Sequence, residues 1–157
     1  MHLPRKILFA ISLLIFSCAD KETVKGDLFV KLVDFGSYYG MDDVQIERFD
    51  KYLDSVQEST DHGDDQKEFY HFISRVKKNG LIKNPHIYLR LPSDSVVRIY
   101  LSEPEYDKVK DYTLRELQKK NQKVEIELEF VKKDEGLYYS DHILHVNEVE
   151  GQTPWDK

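Results

Sequence analysis

KVEIELEFV, residues 123 to 131, alternates without a fault. Val124, Ile126, Leu128 and Phe130 fall on one side of an extended chain, and Glu125, Glu127 and Glu129 fall on the other. Successive side chains of a strand point to opposite faces, so this pattern predicts a half-buried antiparallel strand with its apolar side on a core. Asp134-Glu135-Gly136 turns the chain, and a partner strand is expected between Tyr138 and Val149.

Working back from that hairpin, Ser102-Glu103-Pro104-Glu105 has the form of a capping box with proline in the first turn. It predicts a helix through about Lys120, with Tyr106, Val109, Thr113 and Leu117 on one face. HIYLRL and VVRIYL flank Pro92-Ser93-Asp94-Ser95 and read as a further hairpin. Earlier still, DLFVKLVDF, from Asp27 to Phe35, is rich in β-branched and aromatic residues and predicts a strand ending at Gly36. Two helices follow. The first is capped by Asp42 or Asp43, with Ile46, Phe49, Leu53 and Val56 at helical spacing and Tyr52 beside them. STDHGDD breaks it. The second starts at Asp65 with Glu68 completing a capping box, buries Phe69, Phe72, Ile73 and Val76, and ends in Lys77-Lys78-Asn79-Gly80.

The order is therefore β-α-α-β-β-α-β-β: an α+β domain with a mainly antiparallel sheet of about five strands and three helices. Its closing strand-helix-strand-strand run resembles the end of an OB barrel. The resemblance implies the alternative architecture, an OB-like barrel carrying a helical insertion.

The N-terminus has a different character. MHLPRK carries Arg5 and Lys6, ILFAISLLIF runs uncharged from Ile7 to Phe16, and Ser17 and Cys18 follow. A basic start and an apolar run too short to stay as a membrane span are the layout of a secretory signal. Ile15-Phe16-Ser17-Cys18 resembles the lipobox of bacterial lipoproteins. That resemblance, confined to the first eighteen residues, implies cleavage before Cys18 and acylation of its sulfur. The expected organisation is a signal peptide over 1–17, a lipidated tether over 18–25 and a globular domain over 26–157. Eight tether residues reach about 26 Å when extended, at ~3.3 Å each. Ala19, in the place where aspartate marks inner-membrane retention in the lipoproteins this signal resembles, implies delivery to the outer membrane, on a face left open.

Cys18 is the single cysteine, so no disulfide framework exists and lipidation removes the thiol from catalysis. Loss of residues 1–17 takes away Arg5 and Lys6 and no acid, which lowers Lys+Arg from 23 to 21 against 29 Asp+Glu and moves the net charge from −6 to −8. Such a surface disfavours nucleic acid, which repels it.

Four tyrosines beside turns, Tyr38, Tyr39, Tyr138 and Tyr139, are the candidate ligand contacts, since each ring joins apolar area to a polar hydroxyl. The competing expectation is that one ring of each pair enters the core and the other covers a sheet edge. His142 and His145 form an HxxH, but residues three apart on a regular strand point to opposite faces, so one ion reaches both only across a bulge. Asp61 to Asp65 is acidic but lacks the ligand spacing of a calcium loop. The glutamate ladder at 125, 127 and 129 reads as the solvated side of its strand. No GxSxG, phosphate-binding glycine loop, HExxH or CxxC occurs. No metal, cofactor or catalytic set is expected. The reading favoured by these features is a membrane-anchored envelope lipoprotein that binds an envelope protein, peptide or glycan without catalysis. A hydrolase of glycan or peptide using two carboxylates, and an inhibitor or immunity-type protein facing a basic partner, are the alternatives.

Overall fold

The computed structural model describes residues 20–30, 36–58 and 63–153; the expected signal peptide over 1–17, Cys18, and Asp61 and His62 of the inter-helix loop lie outside these. Among the described residues no helix is long and apolar enough to cross a membrane.

The alternating stretch lies in a strand, β4 (Gln122–Asp134), hydrogen-bonded antiparallel to the last strand, β5 (Leu137–Glu150). Val124, Ile126 and Leu128 are fully buried, Phe130 is half-buried, and Glu125, Glu127 and Glu129 take the outer side. On the other flank of β4 lies β1 (Glu22–Leu28), in register from Glu22 opposite Phe130 to Asp27 opposite Glu125. At Asp27 and Leu28 the same strand turns to pair with β2 (His86–Arg90), which forms a hairpin with β3 (Val96–Leu101). A Cβ at Gly26 would stand 2.8 Å from the carbonyl oxygen of Arg90, so only glycine lets β1 pass so close to β2. β3 then pairs with β5, and that pairing is parallel, Ile99 opposite Tyr138. The sheet closes in the order β1-β2-β3-β5-β4. The domain is thus α+β with a closed five-stranded barrel, consistent with the OB-like alternative.

Inside, Leu89, Ile99, Leu101, Val124, Ile126 and Leu128 are at most 1 % exposed. Burying such side chains, at ~1.5 to 3 kcal/mol each, is the main source of stability in a chain without a disulfide.

The helical insertion lies between β1 and β2. α1 (Asp43–Glu58) starts at a reciprocal capping box: Gln45 N–H donates to the Asp42 carboxylate at 2.8 Å, and Asp42 N–H to Gln45 Oε1 at 2.9 Å. α2 (Asp64–Lys78) begins one residue earlier than expected, after Gly63, with no side-chain cap, and ends with Gly80 at φ +73°. Leu53 and Val56 of α1 and Ile73 of α2 are buried, and Phe49 meets Tyr38 and Phe69 edge to face, with ring centroids 6.0 and 6.2 Å away. A second core forms where α2 meets the outside of the barrel, from Val76, Leu81, Tyr100 and Leu137, with Phe72, Ile82 and Tyr139 around it.

Three expectations need correction. The first strand lies earlier than DLFVKLVDF: it begins at Glu22 and ends at Leu28, so Glu22 to Lys25, expected in the tether, belong to the barrel wall. Residues 31–35 of that stretch lie outside the described residues. The helix expected from Ser102 to Lys120 is two: α3 (Glu103–Tyr106) and α4 (Leu114–Lys120). Ser102 makes no capping bond, because the Glu105 carboxylate turns inward instead, accepting from Ile143 N–H at 2.6 Å and from Lys108 Nζ at 2.7 Å. Thr113 caps the second piece through the Glu116 N–H, at 3.4 Å. Finally, β5 is not regular. Glu127 opposes His145 while Leu128 opposes Ile143, leaving Leu144 as the extra residue of a bulge.

Candidate functional site

Three chain segments converge at the side of the barrel where β1 ends. Phe29 continues β1 through a bond from its N–H to Tyr88 O at 2.8 Å; Ser37, Tyr39 and Met41 enter the helical insertion; Tyr106 to Tyr112 join α3 to α4. Between them is a cleft of ≈ 250 Å³ lined also by His86 and Tyr88 of β2.

The position of each ring has a local cause. Alternation along β2 puts Ile87 and Leu89 in the barrel and His86 and Tyr88 on its outer side, their rings 5.6 Å apart edge to face. Arg98, opposite Tyr88 in β3, donates from Nε to the Tyr88 hydroxyl at 2.7 Å and lies over both the Tyr88 and Phe72 rings. The chain reaches Tyr39 by crossing this outer face closely. Tyr100 Oη donates to Gly36 O at 2.7 Å, and a Cβ at Gly36 would stand 2.7 Å from Arg98 Nη1. Tyr39, 38 % exposed, then meets Tyr106 edge to face with centroids 5.2 Å apart. Burial pushes the Tyr106 hydroxyl above its usual range, and nearby Tyr39 adds to it while Lys110 opposes. Burial does the same to Tyr112, with Glu148 adding to it. Both hydroxyls therefore stay protonated donors at neutral pH. Lys110, bonded to Asp107 at 2.8 Å, is the cation of the rim.

No Asp or Glu is among the described residues lining this cleft. The arrangement offers tyrosine rings, protonated hydroxyls and a lysine, suited to a neutral or anionic ligand with an apolar face. It has no pair of carboxylates for acid and base work. Asp50, Glu105 and Glu125 are each held below the ordinary carboxylate range, opposite to a general acid. For Asp50 and Glu105, burial pushes upward, and donors from Lys77 and Tyr38, or from Lys108 and Ile143 N–H, outweigh it. Glu125 is held down by Lys25 and Lys123.

The four tyrosines expected as a group are dispersed. Tyr39 lines the cleft; Tyr38 bonds to Asp50 and packs on Phe49 beneath α1, with Lys77 5.4 Å from its ring. Tyr138 points into the barrel end against Phe130, and Tyr139 points outward into the second core. His86, Tyr88, Tyr106, Lys110 and Tyr112 were not expected at a site. Their only sequence signal was the run of tyrosines ahead of Thr113, at 100, 106 and 112, and the outward alternation of HIYLR.

Two rungs of the glutamate ladder have partners: Lys25 and Lys123 each stand 3.2 Å from Glu125, and Lys21 Nζ and His142 Nδ1 stand 3.6 and 3.2 Å from Glu129. The bulge at Leu144 brings His142 and His145 to the same exposed side, against the alternation expected for a regular strand. Among the described residues, no group of three His, Cys, Asp or Glu is arranged to hold a metal ion. Compared with protein-family models, curated proteins and solved structures, the chain matches none.

Proposed function

We propose that this protein is a lipid-anchored envelope lipoprotein, delivered to the outer membrane, that binds an envelope peptide, glycan or protein without catalysing a reaction. The observation that carries the binding role is the cleft in which Tyr39, Tyr88, Tyr106 and Tyr112 gather with Lys110 and without a carboxylate. The anchor is supported by the lipobox-like ending at Cys18 and by the absence of any partner thiol. An OB barrel commonly takes ligands on its β2–β3 face. Here the turn at Gly36 and helix α2 lie on that face, which favours the neighbouring cleft as the place of contact.

Purified lipidated protein, titrated with soluble cell-wall fragments and used to capture partners from solubilised envelope, tests this. The Tyr39→Ala, Tyr106→Ala double variant is expected to lose at least ten-fold in affinity for whatever the native protein binds. Equal binding by both would reject the cleft. Intact mass of the mature chain tests the anchor, and protease shaving of intact cells decides which face of the outer membrane displays it.

A second reading, an inhibitor of a basic partner, is favoured by one observation. Residues 42–68 hold ten Asp+Glu against three Lys+Arg, a net −7 in a chain whose total is −6. The acidity is therefore gathered on α1 and the start of α2, while Arg75, Lys77 and Lys78 stand at the other end of α2. A one-to-one complex that survives loss of the tyrosine pair and dissolves in high salt would select it.

A further inference from the structure

We infer that the open mouth of the barrel is the end that rests on the bilayer, its apolar lining against lipid acyl chains. This rests on the reading that Cys18 carries the lipid. Pairing of Glu22 with Phe130, and of Asp27 with Arg90, places three things at one end: the start of β1, the turn between β2 and β3, and the turn between β4 and β5. A cavity of ≈ 280 Å³ opens there. Its walls are Val24, Leu91, Val97, Phe130 and Tyr138, all half-buried, with Lys132 at the rim. Phe130 and Tyr138 meet edge to face at 5.3 Å, and Val96, the first residue of β3 after the turn, is 40 % exposed. At the opposite end Val109 and Leu117 from the α3–α4 segment join the core, and the cleft beside Val109 is ringed by tyrosine hydroxyls and Lys110, a more polar rim than that of the mouth.

The position of the chain's start selects the occupant. Three residues lie between Cys18 and Glu22, so the four steps of chain reach at most about 13 Å at ~3.3 Å each. The headgroup layer takes up roughly 5 to 8 Å of that, half the difference between a bilayer's full thickness and its hydrocarbon core. What remains is too little for a protein partner between mouth and membrane. Aromatic rings with a polar tip, as at Tyr138, suit the boundary between headgroups and acyl chains. The rim holds Glu22 beside Lys132, so the contact is apolar more than ionic.

The test uses full-length lipidated protein in vesicles of phosphatidylethanolamine and phosphatidylglycerol. Because Cys18 is acylated, an engineered thiol at Val96→Cys or, at the far end, Lys119→Cys accepts an environment-sensitive fluorophore specifically. A quencher attached to the acyl chains is expected to quench the probe at 96 at least three-fold more than the probe at 119, unchanged in 0.5 M salt. Equal quenching overturns the inference. So does a probe at 96 that is shielded in detergent in proportion to protein concentration, which assigns the mouth to a second copy. Intact mass of the same sample separates the two claims: acylated Cys18 with equal quenching overturns the orientation alone, whereas bare Cys18 removes the anchor and the orientation with it.

Discussion

The two ends of the barrel are finished in opposite ways. At one, α3 and α4 bring Val109 and Leu117 into the core, and the Glu105 carboxylate accepts from Ile143 N–H, where β5 has run past the end of β3 at Leu101. At the other, Phe130, Tyr138, Val97 and Val24 line an opening beside the place where β1 begins. The first end is built for stability, with the inward Glu105 carboxylate partnered by Ile143 N–H and Lys108. The second leaves half-buried apolar side chains around a cavity, which costs stability unless something covers them. The two ends of a single core thus present different surfaces: a tyrosine-rimmed cleft beside a packed closure at one, and an apolar opening at the other.

Substitutions at both ends sharpen that contrast. The largest effect is expected for Leu117→Ala at the filled end, about 2 to 4 kcal/mol by the cost of a buried cavity, read from urea unfolding. Glu105→Ala follows, at about 1 to 3 kcal/mol, because it strands a buried N–H. Its pH dependence has a definite sign. The Glu105 carboxyl is held below its ordinary value in the fold, so its contribution is complete above the unfolded value near 4.3 and is lost as pH falls through the lower folded value. The gap between native and variant should be constant from about pH 5 to 7 and close in stronger acid. A gap that widens in acid would contradict the ion pair with Lys108. Next, Val97→Ser at the mouth should cost no more than about 1 kcal/mol in detergent, since that side chain is only half-buried. A cost equal to that of Leu117→Ala would erase the distinction between the ends. Smallest of all, Glu127→Ala should stay within about 0.5 kcal/mol, as an outward residue of the wall.

The same contrast explains what could be read from residues alone. Strict alternation made β4 and its register legible, because one face is core and the other is water. β1 escaped notice because ETVKGDL has Gly26 between its inward Val24 and Leu28, and the glycine is there for the close approach of Arg90 O. The Ser102 box misled for a tertiary reason: Glu105 has a better partner in Ile143 N–H, 38 residues on, which no local pattern reveals. Alternation separated Tyr138 from Tyr139 correctly, inward and outward, but the loop pair Tyr38 and Tyr39 diverges by the path of the chain over β2 and β3. It failed for His142 and His145, because Leu144 resets the phase between them. The cleft was invisible, being assembled from segments around residues 29, 39, 87 and 109 that only the closed barrel brings together.

The placement of β1 also has a mechanical consequence. A pull on the chain ahead of Glu22 runs along the axis of a strand that is in register with β4 from Glu22 to Asp27 and with β2 at Asp27 and Leu28. Bonds across an antiparallel ladder lie perpendicular to the strands, so such a pull loads them together in shear and does not peel them one by one. Tension between the N-terminus and anything gripped elsewhere on the barrel would therefore be carried by the whole β1–β4 seam, with Val24 keyed into the core beside Leu128 as its mechanical lock.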